Sequence, residues 1–202
     1  MKIIDGLNLE GWQVEIPDCG RDDLPEFFKE MGFRVGAEIG VRKGDFSEVI
    51  CKAGLKLYGI DPWRVYADYV DPYSQQKMDA AKAIVIARMK GYDFVPIQKT
   101  SMEAVKDFGD GSLDFVYIDG NHSFKYVVED IWEWSKKVKK GGIISGHDYL
   151  YLSREPHALD VKYVLDAYTR ASKLPKWYVL GRRFPPPGEK RDRERSWFWI
   201  NP

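Results

Sequence analysis

Residues Val35–Gly44 read VGAEIGVRKG. Apolar residues up to Ile39 predict a buried strand, the two glycines predict a turn, and the helical spacing of Asp45–Lys52 predicts a helix. Strand, glycine turn and helix together begin a βαβ unit, whose turn is where such folds hold nucleotide-like ligands. Glycine allows the backbone to approach a ligand closely, and the N–H groups of the helix N-terminus face it.

The rest of the chain continues this alternation. Short apolar runs predict further strands at 56–61, 92–98, 113–119 and 143–146. Helical spacing predicts helices at 24–31, 74–90, 102–108, 124–140 and 159–171. Two last strands, at 176–181 and 196–200, are too close in sequence for a helical crossover and predict an antiparallel hairpin. The pattern therefore predicts an α/β, Rossmann-like sheet of seven mostly parallel strands, with helices on both faces.

No linker or internal repeat divides the 202 residues, so we predict a single domain. Residues 1–32 form an extension that is irregular up to residue 22 and helical after it. Residues 33–150 form the ligand-binding core. Residues 151–202 carry the last helix and the hairpin, whose basic connection at 182–195 is interpreted as a solvated loop.

Composition excludes several classes of protein. Lys plus Arg and Asp plus Glu are equal at 31 each, so global charge gives no reason to expect nucleic acid or an anionic membrane as partner. No segment approaches the ~20 apolar residues of a membrane span, and the N-terminus has no signal-peptide pattern. Two cysteines without metal spacing indicate thiols in a reducing compartment. We therefore predict a soluble, cytoplasmic protein.

Acidic residues stand at the ends of four predicted strands. They are Glu38, Asp61, Asp119 and the pair His147–Asp148. Ligands of open parallel sheets lie outside the carboxyl ends of the strands, so these side chains should meet at one site. An acid that caps a helix explains any one of them, but it explains the whole set poorly.

Residues after the second and third strands suggest a nucleoside site. Asp61 can accept hydrogen bonds from both hydroxyls of a ribose, and Pro62 fixes the turn that follows it. Trp63 either offers a flat face to an adenine ring or packs in the core. Ser101 either holds the adenine edge or caps the next helix.

A second cluster suggests either a metal or an acid–base site. Asp119, His147 and Asp148 could bind a divalent cation such as Mg or Mn, and the imidazole favours Mn, Fe or Zn over Mg. Alternatively, Asp119 and His122 could act without metal, with His122 as the general base because an unperturbed imidazole titrates near neutral pH.

Four motifs together resemble class I S-adenosylmethionine-dependent methyltransferases. They are Glu38-Ile39-Gly40 with Gly44, GIDPW at 59–63, YIDGNHS at 117–123, and KGG at 140–142 leading to GHDY at 146–149. The last two resemble more narrowly the small bacterial O-methyltransferases of the macrocin type, or methyltransferase family 24. The resemblance covers about residues 33–150.

The resemblance implies a role for each matching residue. Glu38, Gly40 and Gly44 would surround the methionine part of S-adenosylmethionine, Asp61 would hold the ribose, and Trp63 would flank the adenine. Asp119, His147 and Asp148 would hold a divalent cation that chelates the acceptor oxygens. His122, or a group on the loops, would then take the proton.

The sequence thus predicts O-methylation of a small-molecule hydroxyl, on a sugar or a phenol. Aromatic loops at 63–73 and 149–157 are expected to form the acceptor pocket. Two alternatives stay open: a non-catalytic nucleotide-binding protein and, with less support because G-x-G-x-x-G is absent, a nicotinamide-dependent oxidoreductase. Abundant aromatic residues leave a homodimer open.

Overall fold

The computed structural model of the chain describes residues 1–66, 73–150, 159–190 and 192–202. Strands within these ranges are β1 (Gln13–Ile16), β2 (Val35–Ile39), β3 (Lys56–Ile60), β4 (Phe94–Ile97), β5 (Leu113–Ile118), β6 (Val138–Gly146), β7 (Trp177–Leu180) and β8 (Trp197–Ile200). Helices are α1 (Ile3–Gly6), α2 (Leu24–Glu30), α3 (Asp45–Lys52), α4 (Gln75–Arg88), α5 (Ser101–Ala104), α6 (Phe124–Lys137) and α7 (Val161–Ala171). Two 3-10 turns lie at Arg21–Asp23 and Val105–Asp107.

The eight strands form one sheet in the order β1-β7-β8-β6-β5-β2-β3-β4. All pairs are parallel except those of β8, which runs antiparallel to both β6 and β7. From β2 the chain moves outward through β3 to β4 and then crosses back to β5 on the other side of β2. This reversal between β2 and β5 is the switch point at which a parallel α/β sheet leaves a crevice.

Two hydrophobic layers cover the sheet. One contains apolar residues of α2, α3 and α4, with the ring of Phe28 stacked on Phe115 at a centroid distance of 4.2 Å. The other contains those of α5, α6 and α7, with four tryptophans, Trp134, Trp177, Trp197 and Trp199. Burial on both faces explains why β5 is almost entirely apolar. The predicted Rossmann-like architecture and antiparallel hairpin are confirmed.

The sheet has eight strands rather than the predicted seven. The additional strand, β1, lies in a region predicted to be irregular and pairs in parallel with β7. Val14 and Ile16 are buried there, while Gln13 and Glu15 are exposed or partly exposed. Four residues between turns give too short an alternation to indicate a strand, and only pairing with β7 stabilises it.

The end of α6 also differs from the prediction. We expected this helix to continue to Lys140 and to stop at Gly141-Gly142, but α6 ends at Lys137 and β6 begins at Val138. Val138 pairs with Leu113 before a shift in register. A Cβ at Gly142 would lie 2.5 Å from the carbonyl oxygen of Asp114, so this glycine permits close strand contact rather than ending a helix.

None of the helices in the described ranges is long and apolar enough to cross a membrane.

The packing of Gly36 against Phe115 gives a test of the core. A Cβ at Gly36 would lie 2.3 Å from the Phe115 ring, so Gly36→Ala should lower the free energy of unfolding by about 1–3 kcal/mol through overpacking. The control is Gly109→Ala, whose Cβ would meet no atom within 4 Å. Urea unfolding monitored by circular dichroism measures both, and equal midpoints for the two variants would contradict this packing.

Candidate active site

A cavity of about 630 Å³ opens at the carboxyl ends of β2, β3 and β5, at the switch point of the sheet. Most of the residues predicted for the site line it: Glu38, Gly40, Asp61, Pro62, Ser101, Asp119 and His122. The acidic strand ends are therefore brought together as predicted. Gly44, Trp63, His147 and Asp148 are not among the lining residues.

Gly40 brings the glycine turn directly against the end of β5. Its N–H donates to the carbonyl of Ile60 at 2.9 Å, and the N–H of Asp119 donates to the carbonyl of Ile39 at 2.8 Å. A Cβ at residue 40 would lie 2.0 Å from the carbonyl oxygen of Asp119, and φ is +93°. Only glycine fits here, and it keeps the cavity floor open.

Gly44 supports the glycine turn by packing against α4. It begins α3 with φ +73°, and a Cβ there would meet the side chain of Val85 at 2.5 Å. It therefore permits α3 to pack on α4 instead of facing the cavity. The structure shows this packing role, and the predicted contact of Gly44 with a ligand stays a prediction.

Glu38 is a buried carboxyl group at the cavity wall, with 2% of its surface exposed. Burial raises the pKa of this carboxyl to about 8, although a short hydrogen bond from the hydroxyl of Ser47 opposes the shift. A cationic ligand group in the cavity would stabilise the ionised form of Glu38. Ser47 on α3 was not predicted, because nothing in the sequence shows that it faces β2.

Asp61 joins the glycine turn to the end of β3. One of its oxygens accepts the N–H of Arg42 at 2.8 Å, and the other accepts the N–H of Trp63 at 2.7 Å. Burial raises the pKa of Asp61, and these two backbone donors oppose the rise. Each oxygen keeps a further lone pair, so the carboxylate is oriented to accept bonds from two neighbouring hydroxyls.

Trp63 packs in the core. Of the two interpretations of this residue, the structure supports core packing. Its side chain is 1% exposed, and the indole N–H donates to the carbonyl of Arg42 at 2.9 Å. A left-handed backbone, with φ +42°, turns the ring under the glycine turn and away from the cavity. These contacts favour core packing, and they do not support a contact between Trp63 and an adenine ring. Ile60 and Met102 supply apolar surface in the cavity instead.

Ser101 does not cap α5. Thr100 is the N-cap and forms a capping box with Glu103. The hydroxyl of Ser101 makes a short hydrogen bond to Asp130 and accepts the indole N–H of Trp134 at 2.8 Å. Asp130 is 3% exposed, and burial raises its pKa to about 7. Asp130 also lines the cavity and was not predicted, because in sequence it is one more acid on an amphipathic helix.

Three side chains form an acid–imidazole cluster: Asp119, His122 and Asp148. The Nε2 atom of His122 lies 3.3 Å from Asp119 Oδ1 and 3.0 Å from Asp148 Oδ2. Burial alone would lower the pKa of His122, but the hydrogen bonds and charges of the two carboxylates raise it to about 10. The imidazole is therefore protonated at neutral pH, so in this arrangement it cannot act as the general base that we predicted.

His147 makes no hydrogen bond to either of its predicted co-ligands but lies near both. Its Nδ1 atom is 3.9 Å from Asp119 Oδ2 and 3.7 Å from Asp148 Oδ1. The side chains of Asp119, His122 and Asp148 form a candidate ligand set in which all three ligand atoms lie within 4.8 Å of one another. His122 is thus an additional candidate ligand, and the set of Asp119, His147 and Asp148 stays a prediction.

His147 instead groups with two residues of the hairpin connection. Its ring nitrogen and the carboxylates of Asp192 and Glu194 also lie within 4.8 Å of one another. Asp192 further accepts the N–H of Arg21 at 3.2 Å, and Arg21 lines the main cavity. Neither Asp192 nor Arg21 was predicted for the site, because sequence spacing carries no information on a contact across 171 residues.

The aromatic loops are only partly described. Tyr66 and Tyr73 line the cavity, and the side chain of Asn121 donates to the Tyr66 hydroxyl at 3.3 Å. Residues 67–72 and 151–158 lie outside the described residues, so the predicted acceptor pocket of loops 63–73 and 149–157 stays a prediction.

Comparison with known proteins gives the family. Residues 37–149 match the model of a family described as a methyltransferase domain. No curated protein sequence matches the chain.

Solved structures share the fold at low sequence identity. A putative caffeoyl-CoA O-methyltransferase from Staphylococcus aureus has a TM-score of 0.62 and 14% identity over 90% of this chain and 82% of that one. TomG, an O-methyltransferase from Streptomyces achromogenes solved with S-adenosylmethionine, has 0.61 and 13% over 90% and 79%. An O-methyltransferase from Bacillus cereus solved with S-adenosylhomocysteine has 0.60 and 14% over 89% and 80%.

Glu38 gives a pH test of this geometry. Its pKa is raised from 4.5 to about 8, so its contribution to stability is fully present below pH 4.5 and is lost as the pH rises through 8. Between pH 5 and 8.5 the wild type should lose on the order of 3 kcal/mol that Glu38→Gln does not lose. Urea unfolding at both pH values measures this. Glu26→Gln, on an exposed side chain, is the control, and a Glu38→Gln profile parallel to the wild type would contradict the burial of an unpaired acid.

Proposed function

The chain belongs to the methyltransferase-domain family, and from this membership we propose that it transfers the methyl group of S-adenosylmethionine to a hydroxyl oxygen of a small molecule. The family confirms the resemblance recognised in the sequence. The observation that carries the proposal is the single cavity that joins two oriented carboxylates, Glu38 and Asp61, to the acid–imidazole cluster. A methyl donor and an oxygen acceptor need these two halves side by side.

The residues of the first half fit S-adenosylmethionine. The molecule carries an ammonium and a sulfonium cation, and Glu38 is the buried acid that such a charge would ionise. Asp61 is oriented for the two ribose hydroxyls. Gly40 lies so close to the carbonyl oxygen of Asp119 that no Cβ fits there. Because residue 40 has no side chain, room is left for the ligand beside Asp119. Ser101, held between Asp130 and Trp134 and lining the cavity, is proposed to bind the adenine edge.

S-adenosylmethionine, when bound, supplies a methyl group on positively charged sulfur that is already activated for attack by oxygen. The protein therefore has to align the acceptor oxygen and exclude water. As the oxygen bonds to carbon, its hydroxyl becomes strongly acidic and needs a nearby acceptor for the proton. The carboxylates of Asp119 and Asp148 lie at this position, on either side of the Nε2 atom of His122. We assign proton uptake to the cluster as a unit, with His122 balancing its charge.

The same cluster fits a divalent cation. Two carboxylates and one imidazole are donors that Mn accepts readily, and Asp119, His122 and Asp148 would hold it once His122 had lost its proton. The cation would supply a positive charge that lowers the pKa of the acceptor hydroxyl. The residues thus support either the metal-assisted or the metal-free alternative.

Other expected properties stay predictions: the cytoplasm as location, a homodimer, and no role in binding nucleic acid. The acceptor is a small molecule, and whether it is a sugar or a phenol is addressed by turnover assays on both classes.

Cofactor binding is the first test. Isothermal titration with S-adenosylhomocysteine should give micromolar binding, and Asp61→Asn should weaken it by about 10- to 100-fold because two hydrogen bonds to a charged group weaken. Asp110→Asn, which changes a surface ion pair with Lys137, is the matched control and should bind as the wild type does. Absence of binding in the wild type would overturn the proposed function, and NAD titrated in parallel tests the oxidoreductase alternative.

Metal binding separates the two mechanisms. Titration of the apoprotein with Mn should show one site that Asp148→Asn removes and that Asp192→Asn, in the neighbouring group with His147, leaves intact. The reverse result would move the cation to the His147 group. A protein that binds no Mn, yet methylates an acceptor at the same rate with and without a chelator, would establish the metal-free alternative.

A further inference from the structure

A second cavity of about 370 Å³ lies beside the main one, where β1 and the connection between β7 and β8 meet the end of β6. We call it the flanking cavity. Its charged lining consists of Lys162, Arg183, Arg193, Arg195, Glu15 and Asp192. Four cations and two carboxylates line this small volume, and a third carboxylate, Asp166, pairs with Lys162 from outside the lining, whereas the chain as a whole has equal numbers of each charge. The local excess of positive charge favours an anionic ligand.

Two of the cations are fixed before any ligand arrives. Lys162 is 9% exposed and Arg195 is 7% exposed, unusual values for such residues. Lys162 Nζ lies 4.2 Å and the Arg195 guanidinium 5.4 Å from the centroid of the Tyr149 ring, so both cations pack on this buried aromatic.

Their ion pairs hold the positions of these cations. Lys162 Nζ lies 2.7 Å from Asp166 Oδ2, and Arg195 makes a short ion pair with Glu15. Tyr149 also accepts the side-chain N–H of Gln13 at 2.7 Å. Because these groups are already ordered, binding an anion here costs little side-chain entropy.

The other two cations stand at the mouth. Arg183 and Arg193 are exposed, and an arginine fork can bind a phosphate or carboxylate through two parallel hydrogen bonds. Phe184, 81% exposed, gives the mouth an apolar rim next to them.

The flanking cavity is adjacent to the acid–imidazole cluster. Tyr149 follows Asp148 directly in the chain, and its N–H donates to the carbonyl of Arg195 at 3.0 Å. Asp192 lines the flanking cavity, its carboxylate lies within 4.8 Å of a ring nitrogen of His147, and it accepts the backbone N–H of Arg21, which lines the main cavity. The acid–imidazole cluster is therefore joined to the lining of the flanking cavity through the consecutive residues Asp148 and Tyr149.

We propose that the flanking cavity binds a phosphate or carboxylate group and that the methyl acceptor carries this group some distance from the hydroxyl that is methylated. That the methyl acceptor carries the anion rests on the proposed function, whereas anion binding by the flanking cavity does not depend on it. The acceptor is then an acidic or phosphorylated hydroxyl compound rather than a neutral sugar or a neutral phenol.

The test measures anion binding without turnover. Thermal unfolding of the full chain is followed in inorganic phosphate, in acetate and in chloride at equal ionic strength. The exposed double variant Arg183→Gln/Arg193→Gln removes the mouth, and Arg182→Gln, exposed but outside the lining, is the matched control. Phosphate should raise the unfolding midpoint of the wild type and of Arg182→Gln by about 3 °C relative to chloride, and that of the double variant by less than half as much.

Each outcome has a definite meaning. An effect of phosphate larger than that of acetate assigns a phosphate, and equal effects of the two assign a carboxylate. No increase in the wild type, or the same increase in the double variant, overturns the proposal. Titration with S-adenosylhomocysteine on the same samples keeps the two ideas distinguishable, since cofactor binding should be equal in all of them. For any acceptor that is found, an unchanged kcat/KM in the double variant would overturn the role of the cavity in acceptor binding.

Discussion

The close approach of the glycine turn to the end of β5 is the constraint on which the site depends. With a Cβ at residue 40 only 2.0 Å from the carbonyl oxygen of Asp119, a larger side chain would push β2 and β5 apart at the switch point. Their separation sets the distance between Glu38, before the turn, and the acid–imidazole cluster, after β5. Asp61 then ties the same turn to β3 through the N–H groups of Arg42 and Trp63. One backbone crossing therefore positions acids from three strands.

Burial gives these acids different chemistry. Glu38 and Asp130 lack a cationic partner within hydrogen-bonding distance among the described residues, and burial raises the pKa of each. Asp119 is only partly buried, with 22% of its side chain exposed, and the hydrogen bond from His122 and the nearby His147 hold its pKa below the ordinary value against the effect of burial. The cavity thus contains acids with a raised pKa on one side and, on the other, Asp119 with a lowered pKa beside His122. A cationic methyl donor and an acidifying hydroxyl require these two environments.

The edge of the sheet and the connection next to it form the flanking cavity. β1 pairs with β7 and, together with the connection at 182–195, brings Glu15, Asp192 and Arg195 next to the end of β6. The basic connection that appears in sequence as a solvated loop contributes part of a cavity wall. Its arginines form a candidate anion site because they line the same cavity as Tyr149 and Lys162.

The sequence by itself determined the architecture of the core and the set of acidic strand ends. Strand periodicity, the position of Gly40 and the motifs around Asp61 and Asp119 are local, so residues close in the chain carry that information. The sequence did not determine the directions in which neighbouring side chains point. Trp63 turned into the core, His122 joined Asp119 and Asp148 in the cluster, and the partners Ser47, Asp130 and Asp192 came from other elements of the fold. These outcomes depend on side-chain direction at the end of a strand and on contacts across as many as 171 residues, which only the packed sheet decides.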